Sequence, residues 1–219
     1  MVNSVYLVNG VNLTPVPPPV KRRATGRHHG DLRNALERAA LELVAEKGPH
    51  GFSLNEASRR AGVSVAAPYK HFADREALLA SLAVTGYRAQ RECFAAAVAA
   101  ADEADPVDQL AAFAAAYVRF AAQQPALFDV TFYGGIDKAR HPELAEAGDA
   151  VLATLMPTAA RIAGDEQGAL DLLLRVAAAA HGLAVFLRQG LFGVSADALD
   201  ETAQRAARTA RSVAAGLTL

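Results

Sequence analysis

The chain has 219 residues, 52% of them apolar or aromatic and 21% charged, with Cys93 as the single cysteine. That size and apolar fraction support one domain with a full core, or two small ones, and exclude a disordered chain. One thiol excludes a disulfide-stapled scaffold and fits a reducing compartment, so a cytoplasmic location is expected.

The longest unbroken apolar runs, Cys93 to Ala101 and Leu110 to Val118, hold nine residues each. A bilayer crossing needs about 20, so no membrane partner is expected. The first residues lack the basic-then-apolar order of a secretory leader. Alanine supplies 51 residues, a composition that favours closely packed helices. The net charge of −1 hides an asymmetry, since residues 1–91 carry +6 and residues 92–219 carry −7. A basic front half suggests that this half meets a polyanion.

Residues 1–20 contain Pro15, Pro17, Pro18 and Pro19 and no charged side chain. They read as a flexible or polyproline-like tail, in which Val5 to Val8 is at most a short strand without a visible partner. Lys21, Arg22, Arg23 and Arg27 follow as four fixed positive charges without an acid. They read either as a solvated tail or as an arm beside a duplex.

From Asp31, a plausible N-cap, Leu32, Leu36, Ala39 or Ala40, Leu43 and Val44 recur at helical steps until Gly48-Pro49. Ser53 and Glu56 have the spacing of a capping box at the head of a second helix, which runs to about Ala61. Gly62-Val63-Ser64 interrupts it. Ser64 then caps a predicted third helix from about Val65 to His71, and Asp74 caps a long fourth one reaching about Ala100. Further helices are predicted over 106–123, 125–132, 142–163, 167–191 and 196–215, with Pro106 and Pro142 at first-turn positions. Pro157 predicts a kink or break inside its helix. With no strand-alternating segment of useful length, the fold class is all-α, with about nine helices.

Two short helices around a glycine-opened turn form a helix-turn-helix. Gly62 supplies the positive φ that the turn needs, and Ala57 is small where the two helices approach. Val63 points back toward Phe52, Leu54 and Phe72. The third helix would stand proud, its N-terminal end able to enter a major groove.

The stretch Phe52-Ser53-Leu54, Glu56-Ala57, Ala61-Gly62-Val63-Ser64, Tyr69-Lys70-His71-Phe72 and Arg75-Glu76-Ala77-Leu78-Leu79 resembles the tetracycline-repressor (TetR) family of bacterial transcription regulators over about residues 31–85. The resemblance implies a ligand-responsive regulator, most often a repressor, that binds palindromic double-stranded DNA as a homodimer. It divides the chain into a tail with a basic arm (1–29), a DNA-binding domain (30–76) and a helical ligand-binding and dimerisation domain (77–219). Its DNA-facing positions are Ser53, Ser64, Val65, Ala66, Ala67, Tyr69, Lys70, His71 and Arg75, with Arg22, Arg23 and Arg27 in the arm. Val65, Ala66, Ala67 and Lys70 would face bases; Tyr69, His71, Ser53 and Arg75 would meet phosphates. Ala66 and Ala67 offer only methyl contacts, so direct readout would be sparse. Pro68 stiffens the first turn of the predicted third helix and removes a donor. Ala180-His181-Gly182-Leu183-Ala184 is similar to a subgroup motif of Trp-His-Gly type, with alanine in place of the tryptophan.

In the back half the resemblance implies an inducer cavity among Phe113, Tyr117, Phe120, Phe128, Phe132, Leu152 and Met156, with His181 as the polar candidate. Each of these also reads as plain core, and the His181 ring is expected to find a backbone carbonyl. An inducer would be compact and mainly apolar. Leu170, Leu173, Leu174, Ala177, Ala178, His181, Ala184 and Val185 trace one broad face. Leu199, Ala203, Ala206, Ala210 and Val213 trace another. By resemblance these last two helices pair with a second subunit. Neither cofactor nor metal is expected, because no histidine pair has zinc-site spacing and no glycine-rich loop follows a strand. Two alternatives remain: a helical protein-interaction module that has lost DNA binding, and a small helical enzyme built on His181.

Overall fold

The computed structural model describes residues 29–193 and 195–216. The tail, the Val5 to Val8 strand and the basic positions Lys21, Arg22, Arg23 and Arg27 lie outside them. Among the described residues the chain forms eight α-helices and one short 3-10 turn, with no strand. They are α1 (His29–Lys47), α2 (Leu54–Arg60), the turn Pro68–Lys70, α3 (Arg75–Ala100), α4 (Pro106–Gln123), α5 (Pro125–Tyr133), α6 (Pro142–Ala163), α7 (Glu166–Arg188) and α8 (Ala196–Ala215).

Caps set most of these boundaries. Asp74, Asp105, Asp165 and Ser195 each accept a backbone N–H in the first turn of the helix that follows, satisfying donors that the helix cannot satisfy itself. Two predicted termini differ. Asp31 lies inside α1, which starts at His29. The capping box at α2 is only half formed. Ser53 Oγ accepts from the Glu56 amide at 3.2 Å, but the Glu56 carboxylate turns away to pair with Lys47. A lysine ammonium is the stronger partner because the bond is charge-assisted.

Two cores form. The front core joins Leu36, Leu43, Val44, Phe52, Leu54, Phe72, Leu78 and Leu79, with Val63 packed at its edge. It also takes in Val130 from α5 and Leu144 from α6. The rear core is built on aromatic rings. Phe94 stacks on Tyr117 with centroids 5.5 Å apart and meets Phe113 edge-on at 5.1 Å. Around them α4 packs against α3, α6, α7 and α8.

The helix predicted over Val65 to His71 is instead an irregular turn followed by the 3-10 segment. Its bonds are of the i to i−3 kind, from Ala67 to Ser64, Lys70 to Ala67 and His71 to Pro68. Pro68 has no N–H to give the Ser64 carbonyl, so a four-residue ladder cannot start there. In contrast, α6 runs unbroken through Pro157. One missing bond in a 22-residue helix is offset by its other bonds and by the burial of Leu155, Thr158 and Ala159.

Gly62 closes α2 at φ +70°. The Gly62 amide donates to the Arg59 carbonyl and the Val63 amide to that of Ser58, at 3.1 and 3.0 Å, a Schellman closure. A Cβ at Gly62 would meet nothing within 4 Å, so the demand there is purely conformational. Gly62→Ala is therefore expected to destabilise the protein by about 1 kcal/mol, measured as a lower urea midpoint with an unchanged slope.

Candidate nucleic-acid interface and sensor cavity

The Schellman turn delivers the chain to the surface at Ser64. Ser64, Val65, Ala66, Tyr69 and Lys70 are exposed, Ala67 and His71 are half-buried, and Pro68 is buried. Pro68 and Phe72 anchor the segment, while Tyr69, 57% exposed, projects outward. Ser53, at the head of α2, is exposed as well. Its oxygen is used by the Glu56 amide, which leaves its O–H free to donate. These side chains cluster at one end of the molecule. Lys70 and Arg59 are exposed cations there, whereas Arg60 is tied to Glu46 by two bonds of 2.6 and 2.8 Å.

Arg75 behaves differently from its expected phosphate role. Its guanidinium donates to the Pro49 carbonyl and lies 5.1 Å over the Phe52 ring. Burial shifts its pKa downward. Arg75 therefore clamps the α1–α2 connection to α3 and orients the exposed segment instead of reaching outward.

A cavity of about 440 Å³ lies between α3, α4, α5, α6 and α7. Of the expected lining residues, Phe113, Tyr117, Phe132 and Leu152 border it. Phe120, Phe128 and Met156 belong to the packed rear core instead. His181 stands behind the wall. Its Nδ1 meets the Tyr117 hydroxyl at 3.0 Å and its Nε2 the Tyr133 hydroxyl at 3.3 Å, with the ring stacked on Phe128 at 5.3 Å. Its partners are thus two phenols and not the expected backbone carbonyl. Burial, and then the Arg188 charge, lower the His181 pKa. Burial also raises the Tyr117 pKa, keeping that phenol neutral.

The sequence matches two family models. Residues 37–82 fit "Bacterial regulatory proteins, tetR family" and residues 110–216 fit "Tetracyclin repressor-like, C-terminal domain". The chain belongs to the TetR family. A Rhodococcus sp. RHA1 protein of unknown function is 32% identical over 84% of this chain and 96% of its own, with a TM-score of 0.71. The TetR family transcriptional regulator PfmR from Thermus thermophilus is 21% identical over 81% and 97%, with a TM-score of 0.63. A TetR family regulator from Marinobacter aquaeolei VT8 is 19% identical over 84% and 95%, with a TM-score of 0.64. No curated protein sequence matches.

As a TetR family member the protein is a DNA-binding transcriptional regulator and not an enzyme. The His181 enzyme alternative falls with that assignment. The cavity has further walls beyond the expected lining residues. Tyr87 and Gln90 of α3, Leu144, Val151 and Leu155 of α6, and Leu173 and Leu174 of α7 all border the cavity. Tyr87, Gln90 and Phe94 sit at steps of three and four on α3, so their shared face was readable. The one broad face expected on α7 is split, with Leu173 and Ala184 on its buried side and Leu174 and Ala178 together on its exposed side. Leu172, Leu173, Val176, Ala180 and Ala184 are buried, whereas Leu174, Ala178 and Phe186 are exposed.

The lowered His181 pKa fixes a sign. Below the unfolded value of about 6.5 the unfolded chain takes up a proton that the folded ring resists, so stability falls as pH drops toward the folded pKa. His181→Phe is expected to flatten the loss of melting temperature between pH 7 and pH 5 relative to the unsubstituted protein. Parallel curves for the two would show that His181 does not titrate differently on folding.

Proposed function

We propose that the protein is a homodimeric repressor released from palindromic DNA by a small, mainly apolar ligand. The observation that carries this reading is α3. It begins at the Asp74 cap beside the exposed segment, buries Leu78, Leu79 and Leu82 in the front core, and borders the cavity with Tyr87, Gln90 and Phe94. One rigid helix thus touches both sites, and ligand that favours one of its positions shifts the population of DNA-competent heads.

On the DNA side, Val65, Ala66, Ala67 and Lys70 face bases while Tyr69, His71, Ser53 and Ser64 fix register on phosphates. Arg75 supports them from behind. If the outlying Arg22, Arg23 and Arg27 follow the duplex, they add charge. The segment is short and mostly apolar at its tip, so affinity comes chiefly from phosphates and thymine methyls. A dimer doubles the contact and places two heads about 34 Å apart, one turn of B-DNA. The division into 1–29, 30–76 and 77–219 follows these roles, with the boundary inside α3.

The dimer reading is supported by α7. By length and composition that helix is apolar enough to cross a membrane, yet only 33% of its most apolar stretch is buried. Leu174, Ala178, Gly182 and Phe186 follow one another at four-residue steps along its outer side. Leu174 and Phe186 are 54% and 46% exposed. An apolar stripe with small residues at its middle suits close packing against a second copy.

DNA duplexes selected from a random pool should include a palindrome, bound with an affinity that falls steeply with salt. Lys70→Ala should weaken binding to the selected palindrome by about 1–3 kcal/mol and relax base preference at one position of each half-site; unchanged affinity and preference would remove Lys70 from the base-facing set. Separately, Ala178→Glu with Phe186→Glu should convert dimers to monomers in sedimentation and lower palindrome affinity at least tenfold. Dimers that persist would place the subunit contact elsewhere.

A further inference from the structure

The cavity walls are mostly apolar, with Phe94, Phe113, Phe132, Leu152, Leu155 and Leu173 around it. Its polar groups are few and unevenly placed. Gln90 is only 3% exposed, and its amide nitrogen has no hydrogen-bond partner among the described residues. A buried N–H group left unpaired costs folding free energy that an incoming acceptor recovers. The other two polar groups within are phenols. Tyr117 is committed to His181, and burial raises the Tyr87 pKa, which keeps that phenol neutral. Among the described residues no cation borders the buried part. At the mouth Lys138 and Asp149 are both exposed, and their opposite charges cancel.

We propose that the cavity takes an uncharged, largely apolar compound with a carbonyl-type acceptor oxygen, to which the Gln90 carboxamide donates. This rests on the sensor reading and specifies its ligand. A carboxylate is disfavoured, because burial beside a neutral amide leaves its charge without compensation. A pure hydrocarbon is disfavoured because Gln90 then stays unpaired. An acceptor oxygen held by Gln90 lies against α3, the helix that continues to the DNA-side core.

The test uses the full chain and a fluorescent ketone, 6-propionyl-2-(dimethylamino)naphthalene, displaced by three bodies of similar size. These are 2-acetonaphthone, 2-ethylnaphthalene and 2-naphthoate. Saturable, blue-shifted emission is expected, with 2-acetonaphthone about tenfold the better competitor. Gln90→Leu should abolish that preference while 2-ethylnaphthalene stays within twofold. Gln90→Met serves as a second variant of similar length should the first fail to fold. Absence of saturable binding, equal competition by the hydrocarbon, a preference for the naphthoate, or a ketone preference that survives in the variant would each overturn the proposal. A mobility shift with the same compounds keeps the two readings apart. Ketone binding through Gln90 without DNA release upholds the ligand assignment and defeats the sensor reading. DNA release by compounds indifferent to Gln90 defeats the assignment alone.

Discussion

Between Arg75 and Ala100 the backbone is one continuous helix, and the two cores share it. Leu78, Leu79, Leu82 and Ala83 pack with α1 and α2, whereas Phe94 packs with α4. Close-packed interiors resist compression, so a helix fixed in two of them transmits displacement with little loss. The start of this helix is held with particular care. Asp74 accepts the Ala77 amide at 2.8 Å, and that bond, helped by Arg140, lowers its pKa. Arg75 ties the same turn to Pro49.

A second connection reaches the same turn from the cavity side. The link between α5 and α6 places Arg140 on Glu76 at 2.6 Å and on Asp74 at 3.1 Å. The Asp137 amide donates to Glu76 at 3.1 Å, and the neighbouring Lys138 stands at the cavity mouth. These charges are substantially exposed, so each pair contributes little to stability. Their effect is geometric, since they fix where the link meets the head of α3. His50, in the α1–α2 connection, bonds the Tyr133 carbonyl at 2.9 Å, and the Tyr133 hydroxyl meets His181. The close approach of α5 to α3 depends on Gly86, where any Cβ would run into Thr131.

Helix boundaries were legible wherever a single residue type decides them. Pro106 and Pro142 begin their helices, and Ala163 and Ala215 end theirs at the predicted positions. The helix-turn-helix was legible because Gly62, Ala57 and the apolar set around Val63 have few other uses at that spacing. The reading segment was overextended because periodicity does not register the donor that Pro68 lacks. Apolar patterning misplaced part of α7, where Leu174 and Ala178 are exposed, and it does not separate packed from cavity-facing side chains. Phe120, Phe128 and Met156 entered the expected lining through the family resemblance, with plain core as their other reading, while Gln90 passed as an ordinary helix residue between Tyr87 and Phe94. Only the three-dimensional arrangement reveals an amide shut away without a partner.

The same arrangement bears on how ligand would change the spacing of two DNA-reading heads. Leu173 and Leu174 both border the cavity, but they leave α7 on different sides. Leu173 is buried in the rear core and Leu174 is largely exposed. The wall that a ligand presses is therefore also the wall that carries the outer apolar stripe. On the proposed function, filling the cavity would act on α3 from one side and on α7 from the other, which would couple head orientation to subunit contact. In the proposed dimer, a ligand that separated α3 from α7 by a fraction of an ångström would rotate the head relative to the subunit interface. A two-fold axis would then double that rotation at the DNA, where rigid half-site spacing would turn a small angular change into loss of one head's contacts.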